Sequence, residues 1–163
     1  MGQAWKFGDN IDTDQIIPSQ YLVLPTIQDM AKHTMEPQNP DFSKAFQTGD
    51  ILVGEVNFGC GSSREQAPLV LKELGVRVII ALDFARIFFR NCINNGILPI
   101  EHPCAKEISD KDQLTIDLSK GEIHNQTTGK TYLFNKIEGY LAEILNAGGL
   151  SEYIANKKGS ADD

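Results

Sequence analysis

Between residues 49 and 100 the chain passes twice from an apolar stretch through a helical stretch into another apolar stretch, and no other feature limits the fold as much. "GDILVGEVNF" (49–58) reads as one strand. "GVRVIIALDF" (75–84) reads as a second, whose Val76, Val78, Ile79, Ile80 and Leu82 are too continuously apolar for a strand half in water, so it is expected to be central. Between them Ala67, Val70, Leu71 and Leu74 recur at helical spacing, and Gly75 stands where a helix would stop. Pro68 is tolerated only in a first turn, so this helix is predicted to begin near Ser63 to Glu65, with Ser62 and Ser63 at its N-terminus. A second helix, "FARIFFRNCINN" (84–95), has Asp83 as candidate N-cap and Gly96 as terminator before the short strand "ILPI" (97–100). Its apolar residues cover most of its circumference, which predicts burial on more than one side.

The flanks are less regular. Up to about Gln47 the chain reads as a loop-rich lead-in around Pro18, Pro25, Pro37 and Pro40, with short helical candidates at Ile27 to Thr34 and Asp41 to Phe46. After Pro103, "QLTID" and "KTYLF" flank "GEIHNQTTGK" as hairpin-like segments, followed by a last helix near Ile137 to Asn146. Residues 157–163 are expected to fray. A chain of 163 residues with 41% hydrophobic and 23% charged residues suits one soluble mixed α/β domain spanning 1–163 and excludes wholesale disorder.

A formal net charge of -7 speaks against a nucleic-acid partner, which requires a clustered basic face. No apolar run is long enough to cross a bilayer, and "MGQAWKFGDN" lacks the regions of a signal peptide, so no membrane partner and a cytoplasmic location are expected. Cys60, Cys92 and Cys104 are odd in number and widely spaced, which fits reduced thiols and gives no set for zinc or an iron–sulfur cluster. The aspartates of "DNIDTDQ" lack the central glycine and closing glutamate of a calcium loop and are assigned to turn stabilisation; no metal site is expected. His33, His102 and His124 stand singly. Arg86 and Arg90, one turn apart, suit a partner's acids or a solvated face.

The chemistry concentrates in "NFGCGSSREQ" (57–66). A serine nucleophile normally has a histidine beside it, and none is near. The nucleophile-elbow and phosphate-loop patterns both fail. Two readings remain open: a tight strand-to-helix turn with a serine cap, or an anion site. In the second, amides from Gly59 to Ser63 converge, Arg64 clamps a carboxylate, and the same donors stabilise an alkoxide of Ser62.

On "GDNIDTDQIIP" (8–18), "YLVLPT" (21–26), "GEVNFGCGSSREQAP" (54–68) and "FARIFFRNCINNGILPI" (84–100), in that order, the chain resembles the small subunits of 3-isopropylmalate dehydratase, in their short archaeal-type form. These are swivelling domains of the aconitase superfamily. The resemblance implies a three-layer β/β/α domain and a separate large subunit that carries a 4Fe-4S cluster, this chain binding no cofactor itself. It implies a hydro-lyase that interconverts 2- and 3-isopropylmalate through isopropylmaleate in leucine biosynthesis. Ser62 is then the catalytic base; Gly61, Ser63 and Arg64 contact substrate; Asp12, Thr13, Asp14, Tyr21, Leu22 and Cys60 are possible supports. The resemblance also places Val23 and Leu24 at the substrate, where similar homoaconitases carry an arginine at the position of Val23. A buried carboxylate against Val23 is costly, so an alkylmalate is favoured. The alternatives are citramalate, 2,3-dimethylmalate or homoaconitate as substrate, or a non-catalytic anion-binding module.

Overall fold

A computed structural model describes residues 2–161. The elements in chain order are strand β1 (Gly2–Lys6), helix α1 (Thr13–Ile16), a 3-10 turn (Ser19–Tyr21), α2 (Ile27–Ala31), α3 (Phe42–Ala45), β2 (Ile51–Val53), α4 (Gln66–Leu74) and β3 (Val78–Ala81). There follow α5 (Arg86–Asn94), β4 (Leu98–Glu101), a 3-10 turn (Pro103–Lys106), β5 (Gln113–Asp117), β6 (Glu122–Asn125), β7 (Lys130–Leu133), α6 (Tyr140–Ala147) and α7 (Leu150–Ala161).

The seven strands form one sheet in the order β4-β3-β2-β1-β5-β6-β7. β4 to β1 are parallel, and β5 to β7 are antiparallel to their neighbours. Alternation along each short strand sends side chains to two separate cores. Leu52, Ile79 and Ala81 join Met30, Phe42, Val70, Phe88 and Cys92 on the helix-covered face. Ile51, Val53, Ile80, Leu98 and Ile100 point the other way and meet Leu114 and Ile123 of the antiparallel half. The sheet therefore curls back over its own parallel half, giving a β layer, a second β layer and a helix layer, as the resemblance implied.

Several expectations need correction. β3 is flanked on both sides, but the middle strand of the sheet is β1, which lies in the stretch taken for a loop-rich lead-in. The helix after the serines starts at Gln66, with Glu65 as N-cap, so Ser62 and Ser63 precede the helix instead of capping it. Pro68 does fall in the first turn, and Gly75 ends α4 in the left-handed conformation. Asp83 does not cap α5. Ala85 holds the N-cap position, while the Asp83 carbonyl accepts from the Phe58 amide and its carboxylate from the Asn57 amide. α5 is buried along one side only: Phe88, Cys92 and Ile93 are inside, whereas Ile87 is 61% exposed. Helix α7 is tied to the body near its start, where Lys72 Nζ bonds Glu152 Oε1 at 2.9 Å and Tyr140 meets Tyr153 edge to face. Positions 162 and 163 lie outside the described residues. No helix among the described residues is long and apolar enough to cross a membrane.

The α6–α7 pair docks through backbone contact. Gly96, at φ +76°, ends α5 where a Cβ would stand 2.5 Å from the Gly148 carbonyl oxygen. Gly129 has a similar φ of +77° but open space around it. Alanine at either position pays the left-handed backbone penalty of about 1–2 kcal/mol. Gly96→Ala adds overpacking of about 1–3 kcal/mol. Denaturant unfolding of the two variants is expected to rank Gly96→Ala as clearly the less stable; equal losses would mean that the α6–α7 pair does not dock at this contact.

Candidate functional site

The serine loop grows out of the β1–β2 pairing. Beyond the strands the two chains stay aligned: the Phe7 amide donates to the Val53 carbonyl at 2.8 Å, Asn10 to Val56 at 2.8 Å, Gly59 to Ile11 at 2.7 Å, and Thr13 to Cys60 at 3.0 Å. The loop thus stands at the carboxyl end of the parallel strands, where open α/β sheets place their ligands. Gly59, at φ +84°, is a required glycine, because a Cβ would lie 2.1 Å from the Phe88 ring. Its backbone is thereby seated against α5. Gly61 also has positive φ, +86°, and turns the chain so that Ser62 and Ser63 are exposed.

Two side chains, Thr13 and Arg64, tie this loop to the segment after β1, and a third, Asp12, orders that segment. The buried Thr13 hydroxyl donates to the Ser62 carbonyl at 2.6 Å. Arg64 places one guanidinium nitrogen 3.0 Å from Asp14 Oδ1 and 2.9 Å from the Ile17 carbonyl oxygen. Asp12 caps α1 in a reciprocal capping box with Gln15. The turn-stabilising role read for these aspartates is therefore what Asp12 performs, and D-x-x-Q was its sequence signal.

Of the amides expected to converge, Gly59 is spent on Ile11. Those of Gly61, Ser62 and Ser63 meet no acceptor among the described residues. A cavity of about 220 Å³ opens beside them, lined by Thr13, Gly61, Ser63 and Arg64 on one side and by Arg86 and Ile87 of α5 on the other. Free amides, a partly exposed guanidinium and a second arginine make this an anion-accepting surface with an apolar wall. Ser62 itself is exposed between Gly61 and Ser63 and is not among the residues that line the cavity.

The 21–26 loop lies apart from that cavity. Leu22 and Leu24 pack against the helix-side core, while Val23 is 85% exposed. Asp14 links the two regions: its Oδ1 accepts from the Ser19 amide at 3.1 Å as well as from Arg64. Sequence reasoning missed His33 and Glu36, which meet Tyr21 behind this loop. An aromatic–aromatic contact twelve residues apart across irregular chain leaves no periodic signature.

The cysteines do not suit a cluster. Cys60 sits half-buried in the serine loop, Cys92 in the helix-side core and Cys104 in the opposite core. Burial pushes the Cys92 thiol well up and that of Cys104 up to about 12, and burial followed by the Asp12 charge raises Cys60. Cluster ligation requires thiolates at one point, and these are three protonated thiols in three places. Among the described residues no three His, Cys, Asp or Glu side chains are grouped to hold a metal ion.

Residues 6–105 match the aconitase C-terminal domain family. The chain is 50% identical to 3-isopropylmalate dehydratase small subunit 1 of Archaeoglobus fulgidus, across 94% of this chain and 95% of that protein. It is 51% identical to the 3-isopropylmalate dehydratase small subunit of Aquifex aeolicus, across 98% and 96%. It is 47% identical to the isopropylmalate/citramalate isomerase small subunit of Methanocaldococcus jannaschii, across 96% and 94%. A crystal structure of 3-isopropylmalate dehydratase from Methanocaldococcus jannaschii superposes with a TM-score of 0.94 at 44% identity, covering 99% of this chain and 96% of that one.

The Ser19 amide first, and Arg64 second, hold the Asp14 carboxyl below the ordinary aspartate range. A depressed folded value means that Asp14's contribution is complete above the unfolded value and is lost as pH falls through the folded one. The link between the two loops is therefore expected to persist from neutrality through the ordinary carboxylate range and to release only in stronger acid. Carbon-13 NMR of the Asp14 carboxyl should show this low midpoint, and Arg64→Ala should raise it part of the way. An ordinary midpoint in the unaltered chain would contradict the link.

Proposed function

Because the chain belongs to the 3-isopropylmalate dehydratase small subunits, within the aconitase C-terminal domain family, we propose that it forms the serine-bearing half of a hydro-lyase that moves a hydroxyl between adjacent carbons of 2- and 3-isopropylmalate. The observation that carries the residue assignment is the loop itself: Ser62 flanked by three unengaged amides and Arg64, on a backbone clamped at Gly59 and Thr13.

Ser62 takes the substrate's carbon-bound proton and returns it after the hydroxyl has changed carbon. An alkoxide in water is far too basic to form at neutral pH, but preorganised N–H donors stabilise oxyanions strongly where water is excluded. The amides of Gly61 to Ser63 are such donors. Arg64 has guanidinium nitrogens beyond the one held by Asp14, and these donate to a substrate carboxylate; Ser63 adds a hydroxyl donor at the same cavity. Bidentate pairing then orients the carbon to be deprotonated. Asp12, Thr13 and Asp14 hold the loop and the segment beside it.

An exposed Ser62 cannot exclude water alone, so the site is completed by a large subunit that closes over it. The 4Fe-4S cluster is assigned to that subunit, in keeping with the resemblance to aconitase-type enzymes. The setting is leucine biosynthesis in the cytoplasm. Val23 and Leu24 then face the substrate's alkyl group across the closed interface. Citramalate is the second substrate to test, favoured by the Methanocaldococcus jannaschii relative named for both acids.

Anaerobic co-purification with the large subunit, followed by spectrophotometric assay of alkene formation, tests this. Loss of a positioned base is expected to lower kcat about 10²–10⁴-fold in Ser62→Ala, with the complex still formed. A fully active Ser62→Ala complex would refute the assignment. Citramalate and 3-isopropylmalate rates in the unaltered pair decide between the substrates.

A further inference from the structure

Behind the 22–26 loop lies a cluster that the proposed chemistry does not use. The Tyr21 ring stacks on His33 with centroids 3.7 Å apart and planes 6° from parallel. Glu36 spans both: one carboxylate oxygen accepts from the Tyr21 hydroxyl at 2.5 Å, and the other lies 2.6 Å from His33 Nδ1. The Tyr21 bond first, and His33 second, depress the Glu36 carboxyl, while the same bond raises the Tyr21 phenol. Glu36 is therefore the ionised acceptor, and the proton sits on His33 Nδ1.

The position of this cluster matters. Tyr21 ends the 3-10 turn whose first residue, Ser19, donates its amide to Asp14, and Asp14 in turn holds Arg64. A continuous set of bonds thus runs from the serine loop through Asp14 and Ser19 to Tyr21, and its far end is pinned by Glu36 and His33. Leu24's amide donates to the Tyr21 carbonyl at 3.1 Å and Leu22's to the Ser19 carbonyl at 3.1 Å, so Val23 hangs between two residues held by the 3-10 turn that Tyr21 ends. Val23 itself makes no packing contribution, being 85% exposed.

We propose that Glu36 and His33 are positioning residues which act through Tyr21 to fix where Val23 stands, and thereby set discrimination between malates that differ in their alkyl group. This rests on the placement of Val23 at substrate given above. The physical basis is that a hydrophobic contact discriminates one alkyl group from another only if its wall is held in place. Val23, Pro25 and Thr26 are exposed, so beyond the packing of Leu22 and Leu24 the rigidity of this loop depends on the ordered cluster.

The test uses the assembled enzyme with its large subunit and compares Glu36→Ala, Glu36→Gln and Tyr21→Phe. Glu36→Ala and Tyr21→Phe each remove a charge-assisted bond and are expected to raise KM for 3-isopropylmalate about tenfold. Their kcat should change by less than about twofold. The kcat/KM ratio of 3-isopropylmalate to citramalate should fall by a similar factor to the rise in KM. Glu36→Gln keeps an oxygen acceptor for Tyr21 and is expected to restore most of the native ratio. Unchanged KM and ratio in Glu36→Ala and Tyr21→Phe would overturn the proposal, as would an equal loss in Glu36→Gln. A fully active Ser62→Ala complex signals failure of the catalytic assignment instead, so the two failures are told apart.

Discussion

Strand β1 takes β2 in parallel on one side and β5 in antiparallel sense on the other, and among the described residues no other strand joins the two halves of the sheet. Its side chains serve both cores at once: Ala4 points into the core shared with the antiparallel strands, and Trp5 packs toward the helices against Phe42. The curl of the sheet, and hence the three-layer stack, depends on that strand being in register. So does the site. The alignment of β1 with β2 continues past the strands through Asn10, Ile11 and Thr13, and the serine loop is the last stretch of chain this alignment holds.

For the proposed function, this arrangement is what would let a serine without a neighbouring histidine do acid–base work. The backbone is over-determined: Gly59 is seated against Phe88, and the Ser62 carbonyl is held by a buried hydroxyl. The three amides that follow remain unengaged, and Arg64 is anchored through one nitrogen while the others stay available. Donors held in place by the fold do not have to reorganise as charge develops, which is where such donors gain most of their effect. On the proposed function this chain supplies the donors of the active site, held by its own backbone contacts, and the large subunit supplies the half that excludes water.

Much of this was legible in the sequence, and the misses have physical causes. The strand–helix–strand repeat was visible because long apolar runs and helical spacing are local signals. β1 was not, since "GQAWK" is five residues with only Ala4 and Trp5 apolar, and it is a strand because Ile51 to Val53 lie beside it. Asp83 looked like an N-cap, yet the serine loop takes both its carbonyl and its carboxylate. The residues of the serine loop were identified from their pattern, but the spending of the Gly59 amide on Ile11 depends on a partner 48 positions away. His33 and Glu36 were invisible for the same reason.

The central claim is that Ser62 carries the substrate's carbon-bound proton. The most direct measurement is exchange of that hydrogen with deuterated water in the reconstituted complex, followed by NMR of recovered 3-isopropylmalate. Exchange in the unaltered complex that disappears in Ser62→Ala, with substrate still bound, is the result this account requires. Exchange that persists at its native rate without the Ser62 hydroxyl would place the base elsewhere and reduce the loop to a carboxylate clamp.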